Sequence, residues 1–171
     1  MKLSILITLL NEELVLAQTH AAISAQLEDM LGKDISDYEI LYIDDGSNDR
    51  TFELIAGIAR DNDRVNYIRF SRNFGRESGI LAGFKYATGD AVMVMDGDLQ
   101  HPPYLIPLFL EAYKEGYDIV SGQRTRDGES FVGSSFARLF YFLSNRSMDV
   151  HLTDGKSELR LLSRKAINAF V

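Results

Sequence analysis

The segment VMVMDGDLQHPP, Val92 to Pro103, sets Asp96 and Asp98 on either side of Gly97 where a short apolar run ends. In extended backbone, residues two apart point the same way, so both carboxylates project to one side. Two such groups repel unless a cation or a proton intervenes. Ligation by oxygen alone selects a hard cation such as Mg²⁺ or Mn²⁺. An ion held by two or three protein groups keeps open positions, which suit a diphosphate, and Gln100 or His101 could complete the shell. The competing reading is a plain turn, since Asp-Gly is a common hairpin dipeptide. The apolar strand before the triplet and the Gln-His-Pro-Pro after it favour the ion.

Two more clusters carry donors and acceptors. In DDGS, Asp44 or Asp45 can accept hydrogen bonds from a base imide or from ribose hydroxyls. Gly46 and Ser47 make the turn, and Ser47 or Asn48 caps a following helix. A capped turn with no ligand is the alternative. In TLLNEE, Thr8, Asn11 and Glu12 lie near the end of the first apolar run, and Asn11 and Glu12 could reach the same nucleoside or merely cap a helix. Arginines supply the opposite charge. Arg72 and Arg76 flank the Asn-Phe-Gly of SRNFGRESG, and Arg124 and Arg126 lie in SGQRTRDGES. Arginine pairs with phosphate through two parallel N–H bonds. Solvated side chains or surface salt bridges are the alternatives.

The elements that must position these groups alternate regularly. Leu3 to Leu10 has the length and continuity of a buried strand. Asn11 is a candidate cap, with Glu12 and Glu13 in the first turn of a helix running to about Leu31. YEILYIDD is a second strand. NDRTFELIAGIAR is a helix with Phe52, Ile55 and Ala59 on one face. VNYIRF is a third strand, and RESGILAGFKYATG a helix closed by Gly89. DAVMVM is the fourth strand. PYLIPLFLEAYKEG is a helix with Tyr104, Leu105, Leu108, Phe109 and Ala112 inward, and YDIVSG is a fifth strand. Strands alternating with helices imply right-handed crossovers and an α/β fold with a parallel, doubly wound sheet. Such sheets bind ligands outside the carboxyl ends of their strands, where all three acidic clusters fall.

Composition narrows the classes. The chain has 171 residues, enough for one domain with a substantial core, and no cysteine, which excludes disulfides and thiolate metal sites. The apolar start is too short for a signal peptide, and no run approaches the roughly 20 residues that span a bilayer, so a soluble chain is expected. A net charge of −7 argues against nucleic acid as a partner. That charge is uneven: residues 1–120 carry −10 and residues 121–171 carry +3, which fits either an anionic partner near the C-terminal third or ordinary surface variation. No G-x-G-x-x-G follows the first strand, no G-x-x-x-x-G-K-[ST] occurs, no G-x-S-x-G occurs, and the three histidines show no zinc spacing.

Taken together, LITLLNEE, LYIDDGSNDRT, FSRNFGRESGILAGFKYATGD and VMVMDGDLQHPP resemble the family 2 glycosyltransferases of the GT-A fold, in order and spacing and over nearly the whole chain. Within that family the run Asp96 to Pro103 is most similar to the polyprenyl-phosphate, dolichol-phosphate mannosyltransferase-like branch. The resemblance implies a Rossmann-like, doubly wound, mainly parallel sheet with helices on both faces. It implies that Glu12, Asp44 and Asp45 hold the nucleoside, with Thr8, Asn11, Ser47, Arg76, Asp96 and Gly97 around the nucleotide-sugar. It implies that Asp96, Asp98 and Gln100 hold Mg²⁺ or Mn²⁺, and that Arg124 contacts phosphate. KSELRLLSRKAI resembles the family's Asp-Phe-Arg-Leu segment, with Glu158 and Leu159 standing where Asp and Phe are usual and Arg160 matching. Thr8 and Leu10 stand where Pro and Tyr are common. The chain has no tryptophan, so the Arg-Trp motif of processive synthases is missing and single transfer is expected.

The expected reaction is inverting transfer of a sugar from a nucleotide diphosphate-sugar to a polyprenyl phosphate. A phosphate acceptor is already ionised, so Arg124, Arg126 and Arg160 would position it without a strong base. A hydroxyl acceptor would need one, and Glu158 is then the candidate. Asp98, Arg124, Glu158 and Arg160 are the residues expected at the chemistry. In SSFARLFYFLSNRSM, Phe136, Leu139, Phe140 and Leu143 form a helical stripe near Arg138 and Arg146, which fits either the core or an anionic membrane surface. Residues 1–171 are expected to form a single catalytic domain of a longer protein on the cytoplasmic face of a membrane, with homo-oligomers allowed. A nucleotidyltransferase is the nearest rival, but it needs a glycine-rich basic loop where TLLNEE stands. A non-catalytic nucleotide-sugar-binding module is the rival from another class, and the intact Asp96/Asp98 pair counts against it.

Overall fold

The longest buried apolar run, Lys2–Leu9, forms strand β1 at the middle of a sheet. The computed structural model describes residues 1–98, 101–123 and 156–169, and of residues 123 and 156–158 the backbone alone. The elements follow in the order β1, α1 (Leu16–Met30), β2 (Asp37–Asp44), α2 (Thr51–Asp61), β3 (Val65–Arg69), α3 (Arg76–Tyr86), β4 (Ala91–Asp96), α4 (Leu105–Lys114), β5 (Ile119–Gln123), β6 (Lys156–Ser163) and α5 (Arg164–Ile167). The strand order is β3-β2-β1-β4-β6-β5. β1 runs parallel to β2 and β4, and β2 parallel to β3, while β6 is antiparallel to β4. Residues 1–120 with 158–171 make one compact unit, and residues 121–157 a second.

Side chains alternate across each strand, and two apolar clusters divide accordingly. Leu3, Ile5, Ile7 and Leu9 of β1 pack in one cluster with Leu16, Ile23 and Leu27 of α1, Ile55 of α2, and Ile106, Phe109 and Leu110 of α4. Leu6, Leu41, Ile43, Val92 and Val94 pack in the other with Ile80 and Phe84 of α3 and Ile167 of α5. Both faces of β1, β2 and β4 are thus buried, which is why those strands read as nearly continuous apolar runs rather than as alternating ones. The chain winds outward from β1 to β3, then α3 returns it to β4 on the far side of β1. That reversal places α3 on the face opposite α1 and α2, and it opens a crevice between the ends of β1 and β4.

The α/β class, the parallel core and the two helical layers agree with the sequence reading. Four local expectations are corrected. Asn11 does not cap a helix: its φ is +57°, α1 begins five residues later, and no acid lies in the first turn of α1. The backbone there is held by the neighbouring loop instead. The N-cap of α2 is Arg50 rather than Ser47 or Asn48 and makes no side-chain cap bond; Asp49 Oδ1, one residue before it, accepts from Thr51 N at 3.0 Å. Gly89 does not end α3, which stops at Tyr86; Gly89 N donates to Ser4 Oγ at 2.8 Å, tying the turn to β1. The inward face of α4 is shifted by one residue: Leu105, Ile106, Phe109, Leu110 and Tyr113 pack inward, while Tyr104 and Leu108 are exposed. β6 was not foreseen at all.

Glu39 is a buried carboxylate at the opposite end of the sheet. It accepts from Ser4 Oγ at 2.6 Å, Thr88 N at 2.6 Å and Thr88 Oγ1 at 3.0 Å, and Lys2 Nζ lies 3.6 Å away. Burial pushes its pKa up, but the bonds from Ser4 and Thr88 and the Lys2 charge outweigh it and leave the carboxyl below its ordinary 4.5. A depressed folded-state pKa contributes stability that is present above the unfolded value and lost as pH falls through the folded one. Glu39→Gln should therefore cost about 1–3 kcal/mol at neutral pH, measured by urea unfolding. The deficit should shrink as pH drops below about 4.5.

Candidate active site at the carboxyl ends of the strands

The strand register assembles the site. Thr8 pairs with Ile43 on one side and with Asp96 on the other, and Leu9 pairs with Asp44. The loops after β1 and β2 are then joined by hydrogen bonds. Asn11 N donates to Ser47 Oγ (3.0 Å), Asn48 N to Asn11 Oδ1 (2.9 Å), Glu12 N to Thr51 Oγ1 (2.8 Å) and Arg50 N to Glu13 Oε2 (2.9 Å). Asn tolerates the left-handed backbone that this pairing demands. Asp44 is fully buried; Oδ1 accepts from Ser47 N at 3.0 Å, and Oδ2 lies 3.5 Å from Arg69 Nε. Asp45 is also buried, and its two oxygens accept from Phe74 N (2.8 Å) and Gly75 N (3.0 Å). Gly46 has φ +78°, and a Cβ there would lie 2.4 Å from the carbonyl carbon of Arg72, so the turn packs directly on the SRNFG loop. Beside it opens a polar depression of about 410 Å³ lined by Gly46, Ser47, Asn48, Arg69, Phe70 and Ser71.

The pair Asp96 and Asp98 is not carried on extended backbone. Asp96 is the last residue of β4, while Gly97 and Asp98 form a turn. The absence of a side chain at Gly97 serves the core: a Cβ there would come 2.1 Å from Leu9 Cδ2. Its carbonyl accepts from Thr19 Oγ1 of α1 at 2.8 Å. Asp96 receives Arg76 Nε and Nη2, each 2.9 Å from Oδ1, and His101 Nδ1 lies 3.7 Å from Oδ2. Glu12 shares the crevice. Its pKa is raised by burial first, then by the charges of Asp98, Asp49 and Asp96. Glu12, Asp96 and Asp98 thus lie within electrostatic reach of one another, and repulsion of this kind is what a hard divalent ion relieves. Among the described residues no three such groups converge closely enough to cage an ion alone, so an ion here would keep positions open.

Other expected residues fall as follows. Arg160 sits on β6 opposite Val94, and its side chain lines a cleft of about 160 Å³ with Arg76, Ile80, Leu81, Phe84 and Leu162. Arg72 stacks over the Phe74 ring at 4.4 Å. Gln100, Arg124, Arg126 and the stripe from Phe136 to Leu143 lie outside the described residues, as does the side chain of Glu158. Sequence reasoning missed Thr19, Glu13 and Asp49. Asp49, two residues before a helix start, had the local signature of an Asx cap. Thr19 had none, because its partner is 78 residues away.

Residues 4–170 match the family model described as glycosyl transferase family 2. The chain is 52% identical over 135 residues to the glycosyltransferase CsbB of Bacillus subtilis, covering 79% of this chain and 41% of that protein. It is 32% identical over 169 residues to the undecaprenyl-phosphate 4-deoxy-4-formamido-L-arabinose transferase of Aeromonas hydrophila, covering 98% and 51%. The chain thus spans about half, or less, of the length of these relatives. Among solved structures, a mannosyltransferase from Pyrobaculum calidifontis in complex with GDP-Man and Mn²⁺ superposes with TM-score 0.66 at 18% identity, over 98% of this chain and 46% of that one. Glucosyl-3-phosphoglycerate synthase from Mycobacterium tuberculosis, in complex with Mn²⁺, UDP and phosphoglyceric acid, gives 0.64 at 20%, over 96% and 56%. At those identities the likeness is one of fold.

The Asp45 bonds yield a direct check. Asp45→Ala should free the Phe74 amide, raising its hydrogen-exchange rate by about 5- to 100-fold, with a smaller rise at Gly75, whose N–H also donates to Asn73 Oδ1 at 2.9 Å, while leaving the β1 amides protected.

Proposed function

Because this chain belongs to glycosyl transferase family 2, we propose that it moves a sugar from a nucleotide diphosphate-sugar to a polyprenyl phosphate, with inversion at the anomeric carbon. The donor lies across the crevice at the ends of β1, β2 and β4. Thr8, Asn11, Glu12, Asp44, Asp45 and Ser47 form its nucleoside side, and Asp96 and Asp98 face its diphosphate. Bound Mg²⁺ or Mn²⁺ would neutralise charge on the departing nucleotide, help worth several kcal/mol. Asp96, Asp98 and Glu12 are the described groups whose chemistry fits such an ion, with Gln100 as a further candidate. The Thr19 bond to the Gly97 carbonyl holds the turn that aims Asp98.

One observation carries the acceptor. The cleft between α3 and β4/β6 has apolar walls of Ile80, Leu81, Phe84, Val94 and Leu162, and it is lined as well by Arg160 and by Arg76, which is paired with Asp96 and lies beside Glu77. An apolar channel with fixed positive charge suits an amphiphile with an anionic head. The names of several relatives, undecaprenyl-phosphate transferases, support the same class. In this reading Arg160, with Arg124 and Arg126, holds the acceptor phosphate, and an ionised phosphate attacks without a strong base. A lipid acceptor places the chain beside a membrane, and a cytoplasmic donor places it on the inner face. No helix among the described residues is long and apolar enough to cross one.

Calorimetry with UDP- and GDP-sugars, with and without Mn²⁺, tests the donor half. Mn²⁺ should tighten binding at least tenfold in the wild type and leave Asp98→Ala unaffected; equal tightening in both removes the metal role. Leu81 is exposed, so Leu81→Asp should fold normally. It should raise KM for polyprenyl phosphate by about tenfold, without changing donor affinity; an unchanged KM removes the cleft from the acceptor path.

A further inference from the structure

Arg76 is the first residue of α3, and its guanidinium turns away from solvent to the Oδ1 atom of Asp96. Two features make this contact unusual. A cation in the first turn of a helix faces the positive end of the helix dipole, where negative charge is preferred. Nε donates to Oδ1 at 2.9 Å and Nη2 lies 2.9 Å from the same oxygen in the ion pair, with Nη1 3.7 Å from the exposed Glu77, and the Arg76 and Asp96 side chains are largely shielded, at 26% and 20% exposure. A fixed, half-buried positive charge therefore already occupies the carboxylate proposed above to face the metal.

We propose that Arg76 is the resident counter-ion of Asp96, and that a divalent cation binds at this rim only in competition with it. The inference rests on the metal reading given above and goes beyond it. With no donor bound, Arg76 lowers the repulsion among Asp96, Asp98 and Glu12, and so keeps the crevice assembled. An incoming 2+ ion meets a like charge a few ångströms away, and its affinity falls accordingly. When a donor arrives, its diphosphate offers the guanidinium a new bidentate partner. Arg76 can then leave Asp96 without becoming an unpaired half-buried charge. The exchange makes the metal enter with the donor rather than ahead of it, so Arg76 acts as a positioning residue for Asp96.

The test is Mn²⁺ binding to the 171-residue chain without nucleotide, followed by the electron paramagnetic resonance signal of free Mn²⁺. Arg76→Gln should bind Mn²⁺ about three- to tenfold more tightly than the wild type, and Arg76→Lys, which keeps the charge, should stay near the wild type. A merely structural role for Arg76 predicts the opposite sign, since loosening the rim weakens binding. Equal or weaker binding by a folded Arg76→Gln overturns the proposal. A second measurement needs no variant: saturating Mg²⁺ and a nucleoside diphosphate should shift the Arg76 Nε–H resonance of the wild type, and an unmoved resonance overturns it. If the wild type binds Mn²⁺ and Arg76→Gln merely equals it, the competition alone fails. If neither protein binds Mn²⁺ even with saturating UDP or GDP, the metal reading fails and the competition fails with it.

Discussion

Like charge gathered at one rim is the constraint around which this chain is organised. β1 lies between β2 and β4 with all three parallel, so the residues that end them are neighbours whatever their charge. The acids at those ends would push the loops apart if left to solvent. They are held instead by directed bonds. Asp44 and Asp45 spend their lone pairs on backbone N–H groups of the turns, Asp96 on Arg76, and Glu13 on Arg50. Glu12 feels the gathered charge most plainly, its pKa raised by burial and by Asp98, Asp49 and Asp96. The rim is thus divided into acids that build the loops and acids that face the crevice, a division that residue type alone does not reveal.

Much of the fold was legible because its signals are local. Buried strands between two helical layers are short, largely apolar runs, and β1, β2 and β4 read as such; β3, at the edge and mostly exposed, follows from the alternation. Alternation with helices implies the parallel order, and the carboxyl ends follow from it. The three acidic clusters could therefore be assigned to one edge before any coordinates. What stayed hidden depends on distant partners. β6 is a mostly polar stretch with only Leu159, Leu161 and Leu162 apolar, and it becomes a strand by pairing antiparallel with β4, some 65 residues earlier. Its insertion beside β4 brings Arg160 into the same cleft as Arg76, a meeting that no spacing announced.

The other misreadings share one cause, which is that loop bonding outcompetes local propensity. Asn11 followed by two glutamates has the composition of a helix start, yet the neighbouring turn captures its amide and side chain and holds the backbone left-handed. Ser47 would serve as a cap, yet its hydroxyl is already committed to Asn11. In α4 the apolar residues are dense enough to support two overlapping faces, and packing against the sheet selects the one containing Ile106 and Leu110. Asp45 shows the same capture from the other side: its two oxygens accept from Phe74 N and Gly75 N and so organise the loop that launches α3 and places Arg76.

The bond from Thr19 to the Gly97 carbonyl reaches from the second turn of α1 to the tip of β4. A helix is stiff along its axis, and α1 is fastened at its far end by Leu27 and Met30 in the core. Whatever tilts α1 is therefore geared to the peptide plane between the two aspartates. The peptide between those carboxylates thus takes its orientation from a rod 15 residues long as well as from the loop that bears it, so repacking beneath α1 bears on the rim from a distance.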